Sequence, residues 1–112
     1  MNSATEISFV RHAEVENPTN VFYGRLDGFP LSATGMRQAQ LLANRLKDLE
    51  LTAIYSSPLL RAKQTAEAIS AYHSNIPTII SELINEIKTP YDGYPIKEIE
   101  DKKVGCFLWN FI

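Results

Sequence analysis

The sequence predicts an α/β fold, a three-layer α/β/α sandwich with a mainly parallel sheet. Short β-branched runs alternate with segments of helical apolar spacing, cap or turn signals precede the helical segments, and no repeat or linker interrupts the order. The first run is Ile7 to Val10, inside "EISFVRHAEVENP", which is too short for a helix and suits a buried strand. After the loop "VENPTNVFYGRLDGFPLS", residues Met36, Ala39, Leu42, Ala43, Leu46 and Leu49 recur at helical spacing behind Ser32 and Thr34, two N-cap candidates. "TAIYSS" reads as a second strand. Ser57-Pro58 then reads as a cap and a first-turn proline, opening a helix that turns Leu59, Ala62, Ala66 and Ile69 inward. "PTIISELI" is a third strand. Strands alternating with helices imply right-handed crossovers and helices on both faces of the sheet.

Composition bounds the function. A chain of 112 residues holds one core, so residues 1–112 are expected to form a single domain. Its 11 basic residues nearly balance its 13 acidic ones, which gives no global charge for a nucleic acid to read. With 45% apolar residues the composition is that of a folding chain. Cys106 is the only cysteine, so neither an intrachain disulfide nor a cysteine-rich zinc site is available. "MNSATE" lacks the regions of a signal peptide, and "VGCFLWNFI" falls short of the roughly 20 residues of a membrane helix. The expectation is a cytoplasmic protein without a membrane span.

In a parallel sheet, ligands gather where strands end. Arg11 and His12 follow strand one, Ser56 and Ser57 close strand two, Arg61 lies about one helical turn further on, and Glu86 follows strand three. A histidine, two arginines and a carboxylate at one crevice suit phosphoryl transfer without a metal, because guanidinium forks hold phosphate oxygens bidentately and offset the charge that develops. Between two arginines the imidazolium form of His12 is disfavoured, which leaves a neutral nucleophile. A desolvated Glu86 would keep its proton and donate it to the leaving oxygen. Taken singly, each residue has a plainer role. Arg61 alone is a solvated helix residue, Ser57 a cap, Glu86 one of two nearby surface carboxylates with Glu82, and His73 a solvated helix-end residue.

The blocks "VRHAEVENP", "GRLDGFPLSATGMRQAQLLANRL", "IYSSPLLRAKQTAEAI" and "LINEIKTPYDG" together resemble the histidine phosphatase superfamily, the phosphoglycerate mutase-like family, over about residues 6 to 99. The resemblance implies a phosphoglycerate mutase-like fold and phosphomonoester hydrolysis or phosphoryl transfer through phosphohistidine, with no cofactor. It implies His12 as the nucleophile, Glu86 as the proton donor, and Arg11 and Arg61 as phosphate ligands. Asn17 and Arg25 fall in the region that lines the substrate pocket. The implied partner is a small phosphorylated substrate or inorganic phosphate.

Two departures stand out. Ala13 replaces the usual glycine, and its methyl group is expected to restrict the backbone or crowd the phosphate. The family also has a second histidine on a later strand, for which this sequence has no match; His73, ahead of the third strand, does not correspond to it. Residues 100–112, "EDKKVGCFLWNFI", are atypical of the family. The expected fold is therefore incomplete at the C-terminus. Either the site turns over slowly, or the chain is a weak or inactive phosphate-binding domain that associates with another copy through its incomplete sheet or its tail around Phe107 to Trp109.

Overall fold

Helix formation starts where the sequence supplies a cap. Ser32 is extended (φ −68°, ψ 171°) and its Oγ accepts from the Gly35 amide at 2.9 Å, which opens α1, Ala33–Leu46. Thr34 lies inside the helix and Leu49 beyond it. The computed structural model describes residues 4–101, so the expectations for the tail from residue 102 onward lie outside the described residues. After α1 come β1 (Ile54–Ser56), α2 (Leu60–Ser70), β2 (Thr78–Ile80), a 3-10 turn (Glu82–Ile84) and α3 (Ile96–Asp101).

The fold is α/β with a parallel sheet. Strand β1 pairs with β2 in register, Ile54 with Thr78, Tyr55 with Ile79 and Ser56 with Ile80, and α2 makes the crossover between them. Helix α2 opens without the predicted cap. Leu59 occupies the N-cap position with no side-chain bond, and the Ser57 Oγ instead accepts from the Leu59 amide at 3.3 Å in the turn before it. Pro58 accordingly precedes the helix rather than occupying its first turn.

The core lies between the helices. Ala39 and Ala43 of α1 meet Ala68 and Ile69 of α2, with Leu31 closing one end and Val15, Leu42, Leu46 and Ile54 around it. Alanines at the contact let the two helices approach closely, and both Ala39 and Ala43 are essentially inaccessible. A second cluster, absent from the expectations, sets Phe22 against Ile99 with Ile87, Tyr91 and Ile96 beside them. It fastens the loop 20–24 to the segment 91–96, where the Phe22 amide donates to the Tyr94 carbonyl (2.8 Å) and the Gly93 amide to the Phe22 carbonyl (2.7 Å).

Strand one is not formed among the described residues. A strand exists as one side of a hydrogen-bonded ladder, and Ile7 to Val10 has no ladder partner among them. Its composition is that of a strand, yet Ile7 and Phe9 stand 69% and 89% exposed. Further along, Val15 bridges antiparallel to Leu31 and the Glu14 carbonyl accepts from the Ser32 amide at 2.9 Å. His73 also differs from expectation: it is half-buried, and its Nε2 meets the Leu46 carbonyl at the end of α1 at 3.0 Å.

Candidate functional site

Arg61 is the largest fully buried side chain among the described residues, with 1% of the residue exposed. It rides on the first turn of α2, whose inward face carries Arg61 and, four residues on, Thr65. The Thr65 hydroxyl donates to the Arg61 carbonyl at 2.9 Å and accepts from the Ala13 amide at 3.4 Å, so one side chain ties α2 to the segment that bears His12. The Arg61 Nη2 donates to the Gly24 carbonyl at 2.8 Å and lies 3.7 Å from the Glu86 Oε2. The guanidinium carbon sits 4.4 Å from the Tyr23 ring centroid. Its Nε and Nη1 are buried without a hydrogen-bond partner, two donors aimed at nothing the protein supplies among the described residues.

His12 also meets Tyr23. The two rings meet edge to face, 6.3 Å between centroids and 65° between planes. The His12 Nδ1 lies 2.7 Å from the Ala13 carbonyl, and since a carbonyl only accepts, Nδ1 carries the proton. In the neutral ring the lone pair is then on Nε2. Burial is the largest influence and pulls the His12 pKa below its ordinary value; the Ala13 hydrogen bond raises it, Arg61 and then Arg11 lower it, and Glu86 raises it. The direction agrees with the two-arginine expectation, but desolvation leads and the arginines follow. Burial likewise lowers the Arg61 pKa, against the opposing influences of Tyr23, Glu86 and Asp92.

The remaining candidates divide. Glu86 joins His12, Tyr23 and Gly24 around one small cavity. Its Oε1 accepts from the Ile87 amide at 2.9 Å, and its side chain is 21% exposed, so the desolvation expected of a proton donor is partial. Arg11 is exposed, makes no hydrogen bond or ion pair among the described residues, and lines a wider neighbouring cleft with His12, Asn17 and Gln38. Asn17 lines the same cleft, but its amide is engaged at both ends by Val21, at 2.9 Å to the carbonyl and 3.2 Å from the amide. Arg25 lines neither cavity. Its Nε donates to the Glu86 carbonyl at 2.5 Å and its backbone amide donates to the Asp92 Oδ2 at 3.1 Å. Ala13 is not among the residues with positive φ, so the conformational part of the concern over its methyl group does not arise.

Sequence reasoning missed Tyr23, Gly24, Thr65 and Asp92. Thr65 was within reach, because its four-residue spacing from Arg61 places both on one helix face. Gly24 has φ +44°, and a Cβ there would run into the Asp92 side chain, so the loop and the Asp92 turn touch at a point that only glycine fits. That approach depends on the fold and has no local signal. Among the described residues no group of three or more His, Cys, Asp and Glu side chains is placed to share a metal ion, and no helix is long and apolar enough to cross a membrane.

Comparison with known proteins adds the family. The model of the histidine phosphatase superfamily (branch 1) matches residues 7–107. Phosphoserine phosphatase 1 of Hydrogenobacter thermophilus is 40% identical over 99 residues, which cover 87% of this chain and 46% of that protein. The structure of YhfR from Bacillus stearothermophilus superposes with a TM-score of 0.73 at 31% identity, covering 87% of this chain and 50% of that one. Phosphoserine phosphatase from Entamoeba histolytica, solved with 3-phosphoglyceric acid, superposes with a TM-score of 0.65 at 30% identity over 80% of this chain and 44% of that one. The chain thus spans about half the length of these relatives.

Proposed function

The chain belongs to the histidine phosphatase superfamily (branch 1), and from that premise we propose that it hydrolyses small phosphomonoesters, or transfers their phosphoryl group, through phosphohistidine at His12. One observation carries the reading: an imidazole with its Nδ1 proton held by the Ala13 carbonyl and a buried arginine whose Nε and Nη1 have no partner among the described residues both contact the Tyr23 ring. Nε2 attacks phosphorus while Arg61 holds the phosphoryl oxygens through Nε and Nη1, with Arg11 at the open rim. The bond from phosphorus to the ester oxygen breaks, and Glu86 gives that oxygen its proton. Water or an acceptor hydroxyl then attacks the phosphohistidine, returns a proton to Glu86 and restores the free imidazole. The guanidinium groups offset the developing charge, so the reaction is expected to proceed without a divalent metal.

A second reading rests on the exposure of Phe9 (89%) and Leu83 (95%): these residues are a phosphate-binding domain of little activity that works by associating with another chain. One preparation tests both. Chain incubated with p-nitrophenyl phosphate, with and without EDTA, and quenched at alkaline pH should carry the phosphoryl group on the peptide containing His12, and His12→Ala should lose at least about 10³-fold in turnover. Phosphoryl label on serine, or EDTA-sensitive turnover, sinks the first reading. Binding of inorganic phosphate without label, by a chain whose solution mass is a multiple of the monomer, selects the second.

A further inference from the structure

A buried guanidinium with free N–H groups is an arrangement that a protein has to enforce. Full burial of a charge is costly unless something compensates it, and the usual partner, a carboxylate, would occupy the same N–H groups that a phosphate needs. Among the described residues the Arg61 guanidinium makes one hydrogen bond, to the Gly24 carbonyl, and its distance of 3.7 Å to Glu86 is too long for another. The third contact is the face of Tyr23. A ring face attracts a cation through its quadrupole, takes up no hydrogen-bond donor and brings no negative charge to repel an incoming anion.

The Tyr23 ring is itself held on two further sides. His12 meets it edge to face, and Phe29 lies against it at 5.5 Å with 36° between planes. Phe29 has φ +55°, a backbone conformation that a bulky residue adopts only when its surroundings impose it. That strained turn brings an aromatic ring against Tyr23. The next residue, Gly24, supplies the carbonyl that anchors the Arg61 Nη2, so consecutive residues of one loop grip both the face and one end of the guanidinium.

We propose that Tyr23 is a positioning residue, which holds Arg61 buried with Nε and Nη1 free of protein partners for a phosphoryl group and sets the gap between that guanidinium and the His12 ring. The proposal rests on the phosphate-binding role of Arg61. Tyr23 lines both cavities; the role proposed for it is exerted through the arginine, and the property that matters is its π face, not its hydroxyl.

The test measures the affinity of the full chain for inorganic phosphate by calorimetry, alongside kcat and KM on p-nitrophenyl phosphate. Tyr23→Phe should bind phosphate within about twofold of the parent. Tyr23→Leu should bind about 5- to 30-fold more weakly, the range expected from losing a desolvated cation–π contact. Should Tyr23→Leu fail to fold, phenylalanine analogues with successively more ring fluorines at position 23 drain the π face at nearly constant shape, and affinity should fall step by step. A flat fluorine series, or Tyr23→Leu equal to the parent while Arg61→Ala is impaired, overturns the role of Tyr23 and leaves that of Arg61 standing. An Arg61→Ala chain that binds phosphate like the parent removes the reading underneath as well.

Discussion

Two arginines, Arg11 and Arg61, share one expected phosphate-binding role in the sequence, one just past a predicted strand and one about a helical turn beyond the next, yet the molecule treats them differently. Arg61 stands on a helix whose other inward residues, Thr65, Ala68 and Ile69, are buried, and packing fixes its backbone before any ligand arrives. Arg11 follows a segment with no ladder partner among the described residues, and its side chain is exposed and unpaired there. A charged group held by a packed element acts at full strength in low dielectric, whereas one in solvent is screened and loses side-chain entropy on binding. The largest effect should therefore separate them. Arg61→Ala is expected to lower kcat/KM for p-nitrophenyl phosphate by about 10²- to 10³-fold, the cost of one preorganised donor, with Arg61→Lys restoring little because ammonium has no fork. Arg11→Ala should cost about tenfold or less. Equal losses would mean that Arg11 is as well fixed in solution as Arg61 and that the asymmetry described here is not real.

The same contrast runs through the packing. Ala43 has no exposed surface between α1 and α2, while Phe9 is 89% exposed. Ala43→Leu inserts carbons into a filled contact and should destabilise by about 1–3 kcal/mol, read as a fall in thermal midpoint. Phe9→Ser should stay within about 0.5 kcal/mol of the parent. A larger loss at Phe9, or a solution mass that falls from multimer to monomer in Phe9→Ser, would show that the run Ile7 to Val10 is covered in solution and would strengthen the associating reading.

How much of this was legible follows from how local each signal is. The helices could be read because cap and periodicity lie within a few residues; Ser32 caps α1 as expected, and the inward set Ala66 and Ile69 follows from spacing alone. The parallel crossover from β1 through α2 to β2 was legible in the alternation of elements. Strand one does not form among the described residues, because β character in Ile7 to Val10 states a preference, whereas a strand needs a partner, and none lies among them. The cap of α2 was misread by two residues, since Ser57-Pro58 fits equally the turn before the helix. In the site, His12, Arg61 and Glu86 stood out by residue type and motif, and the geometry brings them together around Tyr23 and Gly24. Tyr23 and Asp92 carried no local signal, because their contacts join residues tens of positions apart.

The smallest effect concerns the proton on His12, and it asks which side of the cleft sets it. Burial leads in lowering the pKa, with Arg61 ahead of Arg11 and Glu86 opposing both. A lowered pKa means that the neutral, nucleophilic form persists as pH falls below the ordinary histidine value of 6.5, so the acid limb of kcat/KM should lie below that value. Neutralising a nearby cation removes a repulsion from the imidazolium and moves the pKa up; neutralising a nearby carboxylate removes an attraction and moves it down. An NMR titration of the His12 ring in the unliganded chain, assigned with His73→Gln, should therefore show a rise in Arg61→Met, a smaller rise in Arg11→Met and a fall in Glu86→Gln. None of the three should restore 6.5 from below by itself, because the leading cause, the surrounding protein, remains in place. A larger response to Arg11→Met than to Arg61→Met would place the exposed arginine closer to His12 than the buried one and reverse the contrast between the two sides of the cleft.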